Sequence, residues 1–291
     1  MKIKNFKNSS ILGGALSLHS NVLTKFCVIF ATMSGIKSKI GLALSGGGTK
    51  GIAHAGVLKF LEEKNIRPSI ISAASAGAIV ASLYGIGKTP VEILEFFKSV
   101  YFFNWKHFVF NRPGFINSEA FKTYFKPVFK DTRIKDLSTE TMIVSTDLVS
   151  GETKVFDKNT RVIDAVIASS AFPGITTPYP VDEILYSDGG ILNNFPADLI
   201  HHKCEKLIGV YVSPQEVFTR EQLNSIKSIT IRAFDLLSYK IEEPKFAFCD
   251  WFICPQKLCS YGTFENKRSR MDEIFEIGFS EAKKSFREGV I

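Results

Sequence analysis

A chain of 291 residues, 45% hydrophobic and 22% charged, is long enough to bury one large core, which excludes a solvated disordered polymer and a small disulfide scaffold. The net charge of +7 comes almost wholly from the first 40 residues, where Lys2, Lys4, Lys7, Lys25, Lys37 and Lys39 stand without one Asp or Glu; the body keeps 30 basic against 29 acidic residues. That balance excludes a phosphate-tracking surface, and no nucleic-acid partner is expected.

Residues 1–37 read as a separate N-terminal extension. Lys2, Lys4 and Lys7 precede an apolar Ile11–Leu18, but His19, Asn21 and Lys25 interrupt it before it could span a bilayer. The expectation is a surface-lying segment or an extension ahead of a working start at Met33, in preference to a cleaved export signal. Cys27, Cys204, Cys249, Cys254 and Cys259 are odd in number and lack C-x-x-C pairs or nearby histidines. They point to a reduced, cytoplasmic protein with buried thiols, and to neither a disulfide framework nor a metal site.

From Ile40 onward strand and helix patterns alternate. Ile40–Leu44 predicts a strand, Ile52–Lys64 a helix, Ser69–Ser72 a strand and Ala76–Tyr84 a helix, while Thr89-Pro90 opens a further helix over Val91–Val100. Beyond an aromatic-rich segment, Thr141–Thr146 and Thr153–Phe156 read as strands, Val162–Ser170 as a helix, Ile184–Tyr186 as a short strand, Ala197–Lys203 as a helix and Leu207–Val212 as a strand. The tail adds a helix near Arg220–Lys240, a strand-like Ala247–Ile253 and a closing helix near Lys267–Phe286. Such alternation implies an α/β fold: a mainly parallel central sheet with helices on both faces, formed by one domain over 38–291 that 216–291 completes.

Two strand-to-helix corners and one strand end carry the chemistry. In Gly46-Gly-Gly-Thr-Lys-Gly51 three glycines leave amide N–H groups unshielded at the positive end of the next helix, a corner suited to an anion or a developing oxyanion. Gly46, Gly48 and Gly51 also satisfy the dinucleotide pattern G-x-G-x-x-G, but no acidic residue follows about twenty positions on to hold a ribose. The P-loop pattern fails because Thr49 precedes Lys50 and Gly51 follows it. Ala73-Ala-Ser75-Ala76-Gly77 sets a serine on a second tight corner, a nucleophile beside oxyanion donors. Tyr186-Ser-Asp188-Gly189-Gly190-Ile-Leu-Asn-Asn-Phe-Pro196 ends a short strand in an aspartate, either a plain Asp-Gly turn or a catalytic base at a strand's carboxyl end.

In this order and spacing the three stretches, with Gly56-Val-Leu and Ala168-Ser-Ser-Ala-Phe-Pro-Gly174 between them, resemble the patatin-like phospholipases from Lys39 to Val212. The resemblance implies a Ca²⁺-independent acyl hydrolase of phospholipids or related lipids, without cofactor or metal and peripheral to a membrane. Ser75 would be its nucleophile, Asp188 its base, and the N–H groups of Gly46, Gly47 and Gly48 its oxyanion hole. Thr49, Lys50, Gly51, Ala76, Gly77, Gly189 and Gly190 would support that site.

The sequence departs from the family pattern at two positions. Ala73 stands where the first glycine of G-x-S-x-G is usual, and Lys50 where arginine is common. Two rival readings follow: a silent lipid-binding or scaffold protein of the same fold, and a Ser-Asp-His esterase using His201 or His202. His54 reads as a packed core histidine. Between Tyr101 and Phe129 aromatic residues interleave with cations, so 99–130 is a candidate lid in which Trp105, Phe108, Phe110 and Phe115 would take an acyl chain, with ordinary core as the plain alternative.

Overall fold

The computed structural model describes residues 39–100 and 113–291. Eight strands form one sheet: β1 (Ile40–Leu44), β2 (Ile70–Ala74), β3 (Glu140–Asp147), β4 (Glu152–Val155), β5 (Tyr179–Val181), β6 (Ile184–Asp188), β7 (Lys206–Val210) and β8 (Trp251–Ile253). Their order is β5-β6-β3-β2-β1-β7-β8, with β4 also paired to β3. Pairings among β1, β2, β3, β7 and β8 are parallel, whereas those of β4, β5 and β6 are antiparallel. The mainly parallel sheet read from the sequence is the one that forms.

Successive strand side chains point to opposite faces, and the apolar residues divide accordingly. Leu42, Leu44, Ile71 and Ala73 are fully buried in the larger core. Over that core lie α1 (Ile52–Glu63), α2 (Ala76–Gly85), α3 (Pro90–Ser99), α4 (Lys122–Phe129) and α5 (Val162–Ser169). Ala43 and Ile70 face the other way, into a smaller core with Phe195, Ala197, Ile200, Leu207 and Tyr211. That face is closed by short 3₁₀ turns and by Tyr239 of α6 (Ile226–Glu242), while α7 (Arg268–Ser285) packs on α1.

Two local predictions change form. Ala197–Lys203 is not a helix but two 3₁₀ turns, Pro196–Leu199 and His201–Lys203. The expected strand-like Ala247–Ile253 begins as a 3₁₀ turn, Glu243–Phe248, and is extended only at β8.

The sheet has one irregularity that positions everything after it. β2 pairs with β3 only as far as Ala74 opposite Val144. β4 takes the far edge of β3 from Val144 to Asp147, and β6 pairs with Ser145, Thr146 and Asp147. Since an edge accepts one partner at each residue, β6 runs in the lane that β2 has just left, antiparallel and head to head with it. Asp188 thereby arrives opposite Ser145, one step beyond the end of β2.

Candidate active site

Ser75 is the residue between β2 and α2, held at φ 50° and ψ −123°. A non-glycine residue at positive φ costs about 1–3 kcal/mol of backbone strain, sustained only where the surroundings over-determine it. Here they do: the Ser75 N–H donates to Ser169 Oγ at 2.8 Å, Gly51 packs on Cβ of Ala76, and Gly77 packs on the carbonyls of Leu44 and Ser45. Ala73 lies inside β2, opposite Leu44 and Ile143, with its methyl group in the core. An extended strand position has no need of glycine, so this departure leaves the corner intact.

Ser75 Oγ donates to Asp188 Oδ2 at 2.7 Å, across 113 residues of chain. The other carboxylate oxygen accepts the Gly190 N–H at 2.7 Å, which fixes the orientation of the group. Asp188 is 3% exposed, and burial pushes its carboxyl up to about 6, against the opposing pull of Ser75 and Gly190. Gly189 is needed because a Cβ there would lie 2.6 Å from the Val144 carbonyl oxygen, the last position of the vacated lane. Thr146 Oγ1 donates to the Asp188 carbonyl at 2.9 Å, and the Asp188 N–H donates to Ala171 O at 2.9 Å.

The glycine loop closes over the same point. A Cβ on Gly46 would lie 3.0 Å from Ser75 Cβ and 2.3 Å from Asn194 Oδ1, so the loop backbone comes as near the serine as a chain without side chains allows. The expectation that all three loop amides are available is corrected: the Gly46 N–H donates to Asn194 O at 3.0 Å. The N–H groups of Gly47 and Gly48 have no acceptor among the described residues. Gly48 sits at φ 58° against the Thr263 carbonyl, which accepts the Thr49 N–H at 2.8 Å, while Thr49 Oγ1 donates to Glu265 O at 3.0 Å.

His54 does more than fill core. Its Nε2 donates to Ser45 O at 2.8 Å, bracing the residue ahead of the loop, and burial lowers its pKa to about 4, which keeps the ring neutral at pH 7. Lys50 is half-buried; desolvation lowers its pKa, opposed first by Asp235 and then by Cys259 and Glu216.

Sequence reasoning passed over the residues that brace the loop. Buried Glu242, at the end of α6, accepts the N–H groups of Asn194 (2.8 Å) and Phe195 (3.0 Å) and the Lys245 ammonium (2.6 Å). Lys245 also reaches Asn193 Oδ1 at 2.8 Å. Glu242 thus holds the segment whose carbonyl takes the Gly46 N–H. A lone carboxylate in an amphipathic helix carries no signal of this, whereas Ser169 and Asn194 fell within stretches already singled out.

The Ser-Asp-His arrangement does not form. Ser75 bonds Asp188 directly, and exposed His201 stacks on Phe248 at 4.3 Å and bonds Asp198 O at 3.0 Å. Of the acyl-wall candidates, Trp105, Phe108 and Phe110 lie outside the described residues. Phe121, Phe125 and Phe129 take the plain reading as core, whereas Phe115 is 65% exposed. Three residues beyond Ser169, Phe172 stands edge-on to Phe234 of α6 (5.7 Å) and to Phe264 (5.8 Å). Among the described residues no cluster of three His, Cys, Asp or Glu side chains suits a metal, and no helix is long and apolar enough to cross a membrane.

A family model described as patatin-like phospholipase matches residues 42–201, more than half of the chain. Mouse patatin-like phospholipase domain-containing protein 6 is 31% identical over 186 residues, covering 61% of this chain and 14% of the mouse protein. A Mycobacterium tuberculosis protein named as an uncharacterized NTE family protein is 28% identical over 212 residues, 68% of this chain and 58% of its own. The chain thus matches a small part of the animal relative and rather more than half of the bacterial one. VipD from Legionella pneumophila shares the fold at a TM-score of 0.55 and 13% identity, covering 85% of this chain and 66% of that one. The matched residues include both glycine-turn corners and the Asp-Gly-Gly strand end, and the chain belongs to the patatin-like phospholipase family.

Proposed function

We propose that the protein is a lipid acyl hydrolase that cleaves carboxylic esters of phospholipids or related lipids with Ser75 as nucleophile and Asp188 as general base. The observation that carries this reading is the 2.7 Å hydrogen bond from a strained serine to a buried carboxylate whose pKa lies near 6. A serine hydroxyl attacks an ester only as its proton leaves, and a carboxylate raised to that value is ionised at neutral pH yet far more basic than one in water.

In the first step Ser75 Oγ bonds to the ester carbonyl carbon while Asp188 takes the hydroxyl proton. The carbonyl oxygen becomes an oxyanion facing the N–H groups of Gly47 and Gly48, each such donor contributing roughly 3 kcal/mol. Collapse expels the alcohol, which takes its proton from Asp188 and leaves an acyl-serine. Water then attacks this ester with Asp188 again as base, releasing the fatty acid. The reaction is membrane-peripheral, since its substrates reside in lipid surfaces.

An alkyl fluorophosphonate tests the reading. Stoichiometric labelling at Ser75, with ester hydrolysis lost in Ser75→Ala and Asp188→Asn, is the expected result. Wild-type turnover in either variant ends the mechanism, and a folded wild-type protein that neither labels nor hydrolyses esters is the silent family member instead.

A further inference from the structure

The helix α6 turns one face to the body of the protein and another to solvent. Phe234 meets Phe172, and Glu242 holds the Asn194–Phe195 segment. On the side away from Glu242, Ile226, Ile229, Ala233, Leu236, Leu237 and Ile241 are all exposed, Ile226 at 87% and Leu237 at 67%. At 100° per residue these six fall within an arc of about 140°, an apolar stripe interrupted by exposed Thr230 and by Lys240, which pairs with Glu243 at 2.7 Å. The helix has a built start, Ser225 Oγ accepting the Ser228 N–H at 3.1 Å, so the stripe belongs to a formed element.

A stripe of this length on a folded chain marks a surface that is covered in use. Charge says by what. Arg232 lies beside the stripe and Lys240 within it, whereas Asp235 and Glu242 fall on the far side of the helix, Glu242 buried in its pair with Lys245. Apolar side chains flanked by cations suit the boundary between the acyl chains and head groups of an anionic bilayer. The same helix also reaches the glycine loop, because Glu242 holds Asn194 and Asp235 lies within electrostatic reach of Lys50.

We infer that the exposed face of Ile226–Glu242 is the surface by which the protein docks on anionic lipid, with the Ser75 site at its edge. The choice of a lipid partner rests on the hydrolase reading; the position and limits of the surface rest on the exposed stripe. A membrane-seated helix that also grips Asn194 through Glu242 delivers the protein to its substrate without moving the loop.

The test uses the full chain, with vesicles of phosphatidylcholine containing about 30% phosphatidylglycerol and, separately, a soluble short-chain ester. The double variant Ile229→Glu/Leu237→Glu changes exposed residues only. Vesicle binding and vesicle-lipid hydrolysis should fall at least tenfold, while hydrolysis of the soluble ester stays within twofold of wild type. Val91→Glu, at an exposed apolar position on α3, should leave binding unchanged. Undiminished vesicle binding by the double variant overturns the inference, as does an equal loss in Val91→Glu. So does a solution dimer that the double variant dissolves while vesicle binding persists, since the stripe would then belong to a second copy. Helix-dependent vesicle binding by a protein that hydrolyses no ester supports the surface and ends the hydrolase reading. Ester hydrolysis without vesicle binding does the reverse.

Discussion

Asp188 stands opposite Ser145 in the sheet, one step beyond the pair formed by Ala74 and Val144, and this places its carboxylate 2.7 Å from Ser75. The dyad is therefore a consequence of strand register. β2 stops, the chain turns at Ser75, and β6 enters the freed lane from the opposite direction.

The strain at Ser75 is measurable. Ser75→Ala keeps a Cβ at φ 50°, whereas Ser75→Gly removes it. Neither variant should hydrolyse esters, but the glycine variant should be about 1 kcal/mol the more stable in urea unfolding, the relief of strain outweighing the entropy of a freer unfolded chain. Equal stabilities would mean the turn is relaxed.

The pH dependence of activity and that of stability run in opposite directions. With the Asp188 carboxyl pushed up to about 6, kcat/KM should rise as pH increases through that value and then level off, as the ionised form is the base. For folding, a carboxyl raised above its unfolded value contributes stability that is present below about pH 4 and lost as pH rises through about 6. Asp188→Asn, which never ionises, should thus be inactive yet more stable than wild type at pH 8 by about 2–3 kcal/mol, with the difference shrinking below pH 5. Chemical denaturation at pH 4.5 and pH 8 checks this.

Gly46 tolerates no side chain. An added methyl would meet Asn194 Oδ1 at 2.3 Å and Ser75 Cβ at 3.0 Å, so the loop must shift and carry its free amides with it. Gly46→Ala should lower kcat on the order of 100-fold or more, the usual effect of displacing oxyanion donors. Its kcat and KM on a soluble ester, with circular dichroism to confirm folding, separate that loss from unfolding.

Glu242 acts on the reaction only through Asn194. Glu242→Gln replaces a charge that serves two backbone N–H groups and Lys245, and should cost about 2–4 kcal/mol of stability. Activity on a soluble ester should fall mainly in kcat, with the midpoint of the pH profile unmoved, because the dyad itself is untouched. A shifted midpoint would place Glu242 in electrical contact with Asp188.

Ala73→Gly, which restores the usual family residue, should destabilise the protein by about 0.5–1 kcal/mol and leave activity unchanged, since position 73 is a buried strand residue. A gain in activity would show that the alanine methyl hampers the corner.

Much of this was legible without coordinates because it is local. Alternating apolar runs, Thr89-Pro90 at a helix start and glycines at strand ends bias φ and ψ within a few residues, and β1, α1, β2, α2 and α3 follow within a residue or two of the expected bounds. The miss at β5 is also local. Its hairpin turns on Asp182-Glu183, both at positive φ without any glycine, and Pro180 interrupts the strand pattern. Pro196, which opens the first 3₁₀ turn, and the separate turn at His201–Lys203 replaced an expected helix.

The sequence by itself determined which chemical groups exist, a hydroxyl and a strand-end carboxylate with a run of unshielded amides, and the fold class that carries them. Only the tertiary structure decided which of those groups are free to act. The Gly46 amide is taken by Asn194, the Asp188 carboxyl is raised by burial, and α6 presents an apolar face to solvent, all through contacts between residues tens to more than a hundred positions apart. The reason is physical: torsional preference acts over a few neighbouring residues, whereas desolvation and hydrogen-bond partnership are set by whatever the register of the sheet brings alongside.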